Sequence, residues 1–298
     1  MTCGRPIRVA LCGVVGFGSR TLDAAGMQLN LFQWDLVETG NGYTCLARLA
    51  FEQARDHFAR VLDAVPNHHK AGAGLQAVHH WEQVFQEVAG LQGETAVSFF
   101  WKQLVAFSFA NSEVDRELRT NLFRYLQNLM DQGALDYLPP DLCRGYLSLQ
   151  LGDFVTAESQ LRGLIESFPE EGLLYGYLAD ALWLQGRREI ANGVYVTALL
   201  LDPQRMGLYK LCNQRLAAVM VEHGASMAPV HGYLEGVVPL VEQEIATDTE
   251  ATRIYAVLRR AERARHRQDH AVAIAARRDL QVLAPKIFAA YLAFMQAG

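Results

Sequence analysis

The chain has 298 residues, of which 51% are apolar and 20% charged, with nine prolines and a formal net charge of −5. Such a composition can bury a substantial core, and its mild charge suggests neither an acidic disordered tail nor a dedicated nucleic-acid binder. Five scattered cysteines (Cys3, Cys12, Cys45, Cys143, Cys212) are odd in number and show no Cys-x-x-Cys spacing. They read as reduced thiols of a cytoplasmic protein.

Residues 1–26 differ from the rest of the chain. Arg5 and Arg8 precede a short apolar run, Val9 to Phe17, and the small residues Ala24 to Gly26 come after it. The order resembles a secretory signal, although Gly13 and Gly16 weaken a helical segment. Three readings stand: a signal, which would make the protein exported; a disordered or loosely docked leader; and a mis-set start with Met27 as the first residue. The glycines from Gly13 to Gly18 lack the lysine and hydroxyl pair that a phosphate-binding loop needs. No stretch reaches transmembrane length, since Ala96 to Ala110 is too short and contains Lys102.

A short phrase then begins that recurs four times, alanine followed by proline twelve residues on. It appears as Ala54–Pro66, Ala157–Pro169, Ala191–Pro203 and Ala273–Pro285, and a small residue (Gly42, Gly145, Ala179, Ala261) stands twenty-four residues before each proline. Residues 27–135 hold the first copy and degenerate helical repeats. After Pro66 the apolar periodicity predicts three helices, about His69 to Ala89, Glu94 to Ala110 and Glu113 to Gln132, the last capped by Ser112. The aromatics Phe99, Phe100, Trp101, Phe107 and Phe109 face several directions on one helix. Core packing explains that best, with a subunit contact, and so a homodimer, as the alternative. Folding back the helix from Phe51 to Val65 could bring His57 towards His79 or His80, but the usual ligand spacings are absent and no metal is expected.

Residues 136–205 carry two full copies, 34 residues apart. The later one reads Tyr175, Leu178, Ala179, Leu182, Gly186, Ala191, Tyr195, Ala198 and Pro203. The earlier shares Gly145, Gly152, Phe154, Ala157, Leu161, Leu164 and Pro169, but has Asp141, Arg144 and Ser148 where large apolar residues would fit. Small residues let two antiparallel helices approach, glycines suit the helix ends, and Phe168-Pro169 and Asp202-Pro203 stop the second helices. This pattern resembles the tetratricopeptide repeat. The resemblance implies an all-α fold, an α-solenoid of antiparallel helix hairpins, with divergent repeats in the N-terminal half and after residue 205.

Residues 206–250 lose the phase at Gly224, Pro229, Gly232, Gly236 and Pro239, and residues 251–298 regain it as a hairpin with a capping helix. Charge is uneven here. From Leu216 to Thr252 lie six acids (Glu222, Glu235, Glu242, Glu244, Asp248, Glu250) without Lys or Arg, and six arginines come next between Arg253 and Arg267. Arg259, Arg263 and Arg267 share one helix face. Solvation or pairing with the preceding acids is the plain explanation, and docking of an acidic protein or nucleic acid the alternative.

The resemblance implies a non-enzymatic adaptor or scaffold that holds a segment of another protein in a concave groove lined by first helices. The contacts it implies are Leu142, Tyr146, Leu149, Asp180, Trp183, Lys210 and Gln214. The Lys and Asn pattern of chaperone-tail binders is missing from them. No nucleophile elbow, metal motif or cofactor loop appears in the chain, so no catalytic residue or cofactor is expected; an enzyme with its site in the divergent segments is the remaining alternative. Nucleic acid is an unlikely partner, because aromatics hardly interleave with the arginines.

Overall fold

The structure is a computed structural model that describes residues 33–110, 112–242 and 249–297, so the readings of residues 1–26 lie outside the described residues. It is almost entirely helical, with fifteen helices among the described residues. In chain order they are α1 (Trp34–Ala47), α2 (Phe51–Ala64), α3 (His69–Ala89), α4 (Gly93–Ala106), α5 (Glu113–Gln132), α6 (Arg144–Gln150), α7 (Phe154–Ser167), α8 (Gly172–Leu184), α9 (Arg188–Leu201), α10 (Pro203–Leu208), α11 (Gln214–His223), α12 (Ala228–Leu234), α13 (Glu250–His266), α14 (His270–Leu283) and α15 (Pro285–Ala297). Before α6 a two-residue strand, β1 (Tyr137–Leu138), pairs antiparallel with β2 (Leu142–Cys143). No helix among the described residues is long and apolar enough to cross a membrane.

Two compact units divide the described chain. One comprises α1 up to Leu46, α2 and α3 as far as Val78; the other comprises Ala47–Leu49 and everything from His79 onwards. In the first, Phe58 is gripped between two glycines, since a Cβ at Gly42 or Gly74 would stand 2.6 or 2.4 Å from its ring. In the second, adjacent helices pack in succession, α6 on α7, α7 on α8 and α8 on α9, and again α13 on α14 and α14 on α15.

The four copies of the phrase share one backbone solution. Their first helices end at Ala47, Gln150, Leu184 and His266, each nineteen residues before its proline. Two residues on, the chain takes a left-handed φ in every copy: 61° at Leu49, 84° at Gly152, 83° at Gly186 and 59° at Gln268. The second helices then have 14 residues each. Val65, Phe168, Asp202 and Ala284 end them with φ between −133° and −147° and ψ between 63° and 83°, outside the α region that proline disfavours in the residue before it. The phrase alanines Ala54, Ala157, Ala191 and Ala273 are all buried. Gly145 repeats the relation of Gly42 to Phe58, for a Cβ there would lie 2.4 Å from Leu161 Cγ.

Several details depart from expectation. α4 stops at Ala106, short of Ala110. Pro203 ends α9 and at once opens α10, where its missing amide proton costs nothing and Asp202 caps the new helix through Arg205 N at 3.1 Å. α6 has only seven residues, and Leu142 lies before it in β2. The mismatched residues of this copy make polar contacts. Arg144 donates through Nε to the Leu135 carbonyl at 2.8 Å and pairs with Asp136 at 3.1 Å, while Ser148 Oγ donates to Gln160 Oε1 at 2.8 Å.

Candidate functional site

Helices α4 to α10 bring aromatic side chains from five separate segments to one cleft. Trp101 and Val105 come from α4, with Phe107 and Phe109 just beyond it; Arg119 and Phe123 come from α5, Tyr146 from α6, Tyr177 from α8 and Tyr209 from the end of α10. The cleft has a volume of about 480 Å³. Its rings form a continuous series: Trp101 meets Tyr146 at 5.9 Å between centroids, Tyr146 meets Tyr177 at 4.7 Å, and Tyr177 meets Tyr209 at 5.3 Å. These edge-on and tilted contacts are the arrangements the ring quadrupoles favour. On the other wall Phe107 and Phe109 lie 4.8 Å apart, and the exposed Arg119 guanidinium stands over Phe109 at 5.9 Å and Phe123 at 5.3 Å.

Polar groups fix the rings from behind. Asp141 accepts from Trp101 Nε1 at 3.1 Å through its carboxylate and from the Tyr177 hydroxyl at 2.8 Å through its carbonyl. Asp180 is buried beneath Tyr209 and accepts from the Tyr209 hydroxyl at 2.5 Å, from the Cys212 amide at 2.9 Å and from the Tyr195 hydroxyl. Burial pushes the Asp180 carboxyl upwards and its three donors only partly oppose that. Burial is the main cause that raises the Tyr146, Tyr177 and Tyr209 phenols; the Arg119 guanidinium opposes it at Tyr146, and the Asp180 carboxylate adds to it at Tyr209. The Tyr177 and Tyr209 hydroxyls serve as hydrogen-bond donors.

Of the residues expected to line a groove, Tyr146 alone belongs to this cleft. Leu142 and Leu149 are core residues, and Asp180 is engaged by its tyrosines. Trp183 packs 6.4 Å from Tyr195 and carries the Arg188 guanidinium over its ring at 5.2 Å. Lys210 and Gln214 are exposed and do not line it. Trp101, Phe107 and Phe109, which the sequence pattern assigns to the core, line the cleft; Tyr177 and Tyr209 gave no signal of their own, because their neighbours are distant in sequence.

The arginine face is largely engaged. Arg263 pairs with Glu242 at 3.2 Å, Arg260 with Asp279 and Arg265 with Glu262, and Arg259 donates to the Val241 carbonyl at 3.4 Å. Arg267 is exposed at the C-cap of α13. Among the histidines, His57 donates through Nδ1 to the Glu38 carboxylate at 2.7 Å and His80 stacks on Phe107 at 5.4 Å. The described residues do hold one group with metal-ligand geometry, His223, His231 and Glu235. Compared with protein families, curated proteins and solved structures, the chain has no match.

Proposed function

We propose that this chain is a tetratricopeptide-like helical-repeat adaptor, an α-solenoid of helix hairpins without catalytic activity, that holds an apolar or aromatic segment of a partner protein in the cleft around Tyr146. The repeat reading is supported by the four turns with one φ pattern and one second-helix length. The binding reading rests on a single observation: alternate helices bring Trp101, Tyr146, Tyr177 and Tyr209 into ring-to-ring contact along an open cleft. Rigid aromatic surface offers large contact area at little conformational cost, and such residues dominate binding energy at interfaces.

Partner capture from the source cells tests this, using wild type beside Val105→Asp and Tyr146→Ala. Val105 is 62% exposed and lines the cleft, so a charge there blocks an apolar segment with little effect on folding. The expected result is a protein retained by wild type and lost by both variants. Retention by both, with loss in Arg263→Ala, would favour the arginine face.

A further inference from the structure

The irregular segment after the third repeat holds a cluster that the cleft does not use. His223 is the last residue of α11, and Gly224 turns the chain with a φ of 80°. α12 then returns so that the His231 ring lies face to face with His223, centroids 3.6 Å apart and planes 8° from parallel. Glu235 stands four residues after His231 and its amide donates to the His231 carbonyl at 2.9 Å, so the two side chains share one helix face. Glu235 Oε1 lies 3.2 Å from His223 Nε2, with Glu222 Oε1 at 3.7 Å from the same nitrogen. Donor atoms of His223, His231 and Glu235 all fall within 4.8 Å of one another.

A simple ion pair does not account for this arrangement. One imidazole would suffice for Glu235, and two protonated rings stacked at van der Waals distance would repel. In-plane lone pairs of two parallel rings do not converge on one point, so one ring turns out of the stack when an ion binds. Two imidazoles and a carboxylate at about 2.0–2.2 Å from Zn²⁺ form a set that keeps a fourth position open. His231 also lines a cavity of about 1040 Å³, together with Ser226, Met227 and Ile254. The C-terminal carbonyls of α11, where His223 sits, further favour a cation.

We propose that His223, His231 and Glu235 bind one divalent transition-metal ion of the zinc class, with its open coordination position facing this cavity. Two other histidine–acid pairs among the described residues are engaged differently. His57 and Glu38 already have the Arg60 guanidinium at 3.4 Å from the carboxylate. His68 meets Asp35 at 3.5 Å, and its other ring nitrogen accepts from the Ala71 amide at 3.1 Å.

The test is titration of the full chain, stripped with a chelator, with Zn²⁺ by calorimetry and with Co²⁺ by visible absorption. Wild type should bind one Zn²⁺ per chain and give the intense visible bands of four-coordinate Co²⁺. Glu235→Gln, an exposed and nearly isosteric change, and His223→Gln should each weaken binding at least ~10-fold, a loss comparable with that from disturbing a ligand's support. His57→Gln should bind as wild type. Circular dichroism checks that each variant is folded, and if His223→Gln is not, Glu235→Gln decides. Absence of saturable binding, or equal affinity in wild type and Glu235→Gln, would overturn the proposal.

Discussion

Tyr291 donates a hydrogen bond to the buried Glu262 at 2.5 Å, and Tyr209 makes the same bond to the buried Asp180. Both pairs span 29 residues. Asp180 and Glu262 each stand twenty-three residues before a phrase proline, and Tyr209 and Tyr291 each six residues after it. The contact thus recurs at one register in two of the four copies, tying the first helix of the pair to the chain beyond the second.

Tyr209→Phe and Tyr291→Phe should each destabilise the protein by about 1–3 kcal/mol, because each leaves a buried carboxylate short of a donor. Denaturant midpoints at neutral pH measure this. A change below ~0.5 kcal/mol in both would remove the pair from the set of contacts that hold the repeats.

The two acids should respond to pH in opposite senses. Burial raises Asp180, which has no cation among its hydrogen-bond partners. Burial also acts on Glu262, but hydrogen bonds from Arg265, Tyr291 and Tyr233 outweigh it and hold this carboxyl below its ordinary range. The stability from Glu262 is therefore present above its unfolded value of about 4.3 and lost as pH falls through its lower folded value. For Asp180 the favoured form is the protonated one, so its contribution is lost as pH rises from about 3.9 through the raised folded value. Stability measured across pH should show the Glu262→Gln penalty shrinking in acid and the Asp180→Asn penalty growing there. Parallel profiles for the two variants would contradict this assignment.

Two of the four turns carry a non-glycine residue at the left-handed position. Leu49→Gly and Gln268→Gly relieve a steric cost of roughly 1–2 kcal/mol and incur part of it back as unfolded-chain entropy, leaving an expected gain of about 0.5 kcal/mol each. Gly152→Ala and Gly186→Ala should destabilise. Melting temperatures check both signs, and a loss in Gln268→Gly would mean that its side chain does more than complete the turn.

Gly145→Ala should cost about 1–3 kcal/mol, because the new Cβ falls 2.4 Å from Leu161 Cγ. A double-mutant cycle with Leu161→Ala gives the specific test. The pair should be less damaging than the sum of the single changes, since the smaller residue makes room for the methyl; strict additivity would place the two side chains apart.

Much of the helical order was legible in the chain because spacing alone carries it. The alanine–proline interval marks all four second helices, and Ser112 caps α5 as its position implies. The turn was only half visible: Gly152 and Gly186 announce it, whereas Leu49 and Gln268 adopt the same φ without the residue that signals it. Asp141, Arg144 and Ser148 looked like failures of the repeat and prove to be polar anchors whose partners lie elsewhere in the fold. The cleft was the least legible part. Tyr146 could be placed by repeat position, but its neighbours Trp101 and Tyr177 are set by packing across more than seventy residues of chain. His231 and Glu235 offered the one local hint of their cluster, a four-residue spacing on a helix, and His223 joins them only through the turn at Gly224.

The most direct measurement of the central claim is site-specific photo-crosslinking in the source cells, with a photoreactive residue placed at Val105 or, separately, at Val155. Val105 is 62% and Val155 71% exposed, and of the two only Val105 lines the cleft. A discrete crosslinked partner is expected from Val105, suppressed by Tyr146→Ala in the same chain, and none from Val155. Crosslinks from Val155 alone, or from Val105 with no dependence on Tyr146, would contradict a partner seated in the cleft.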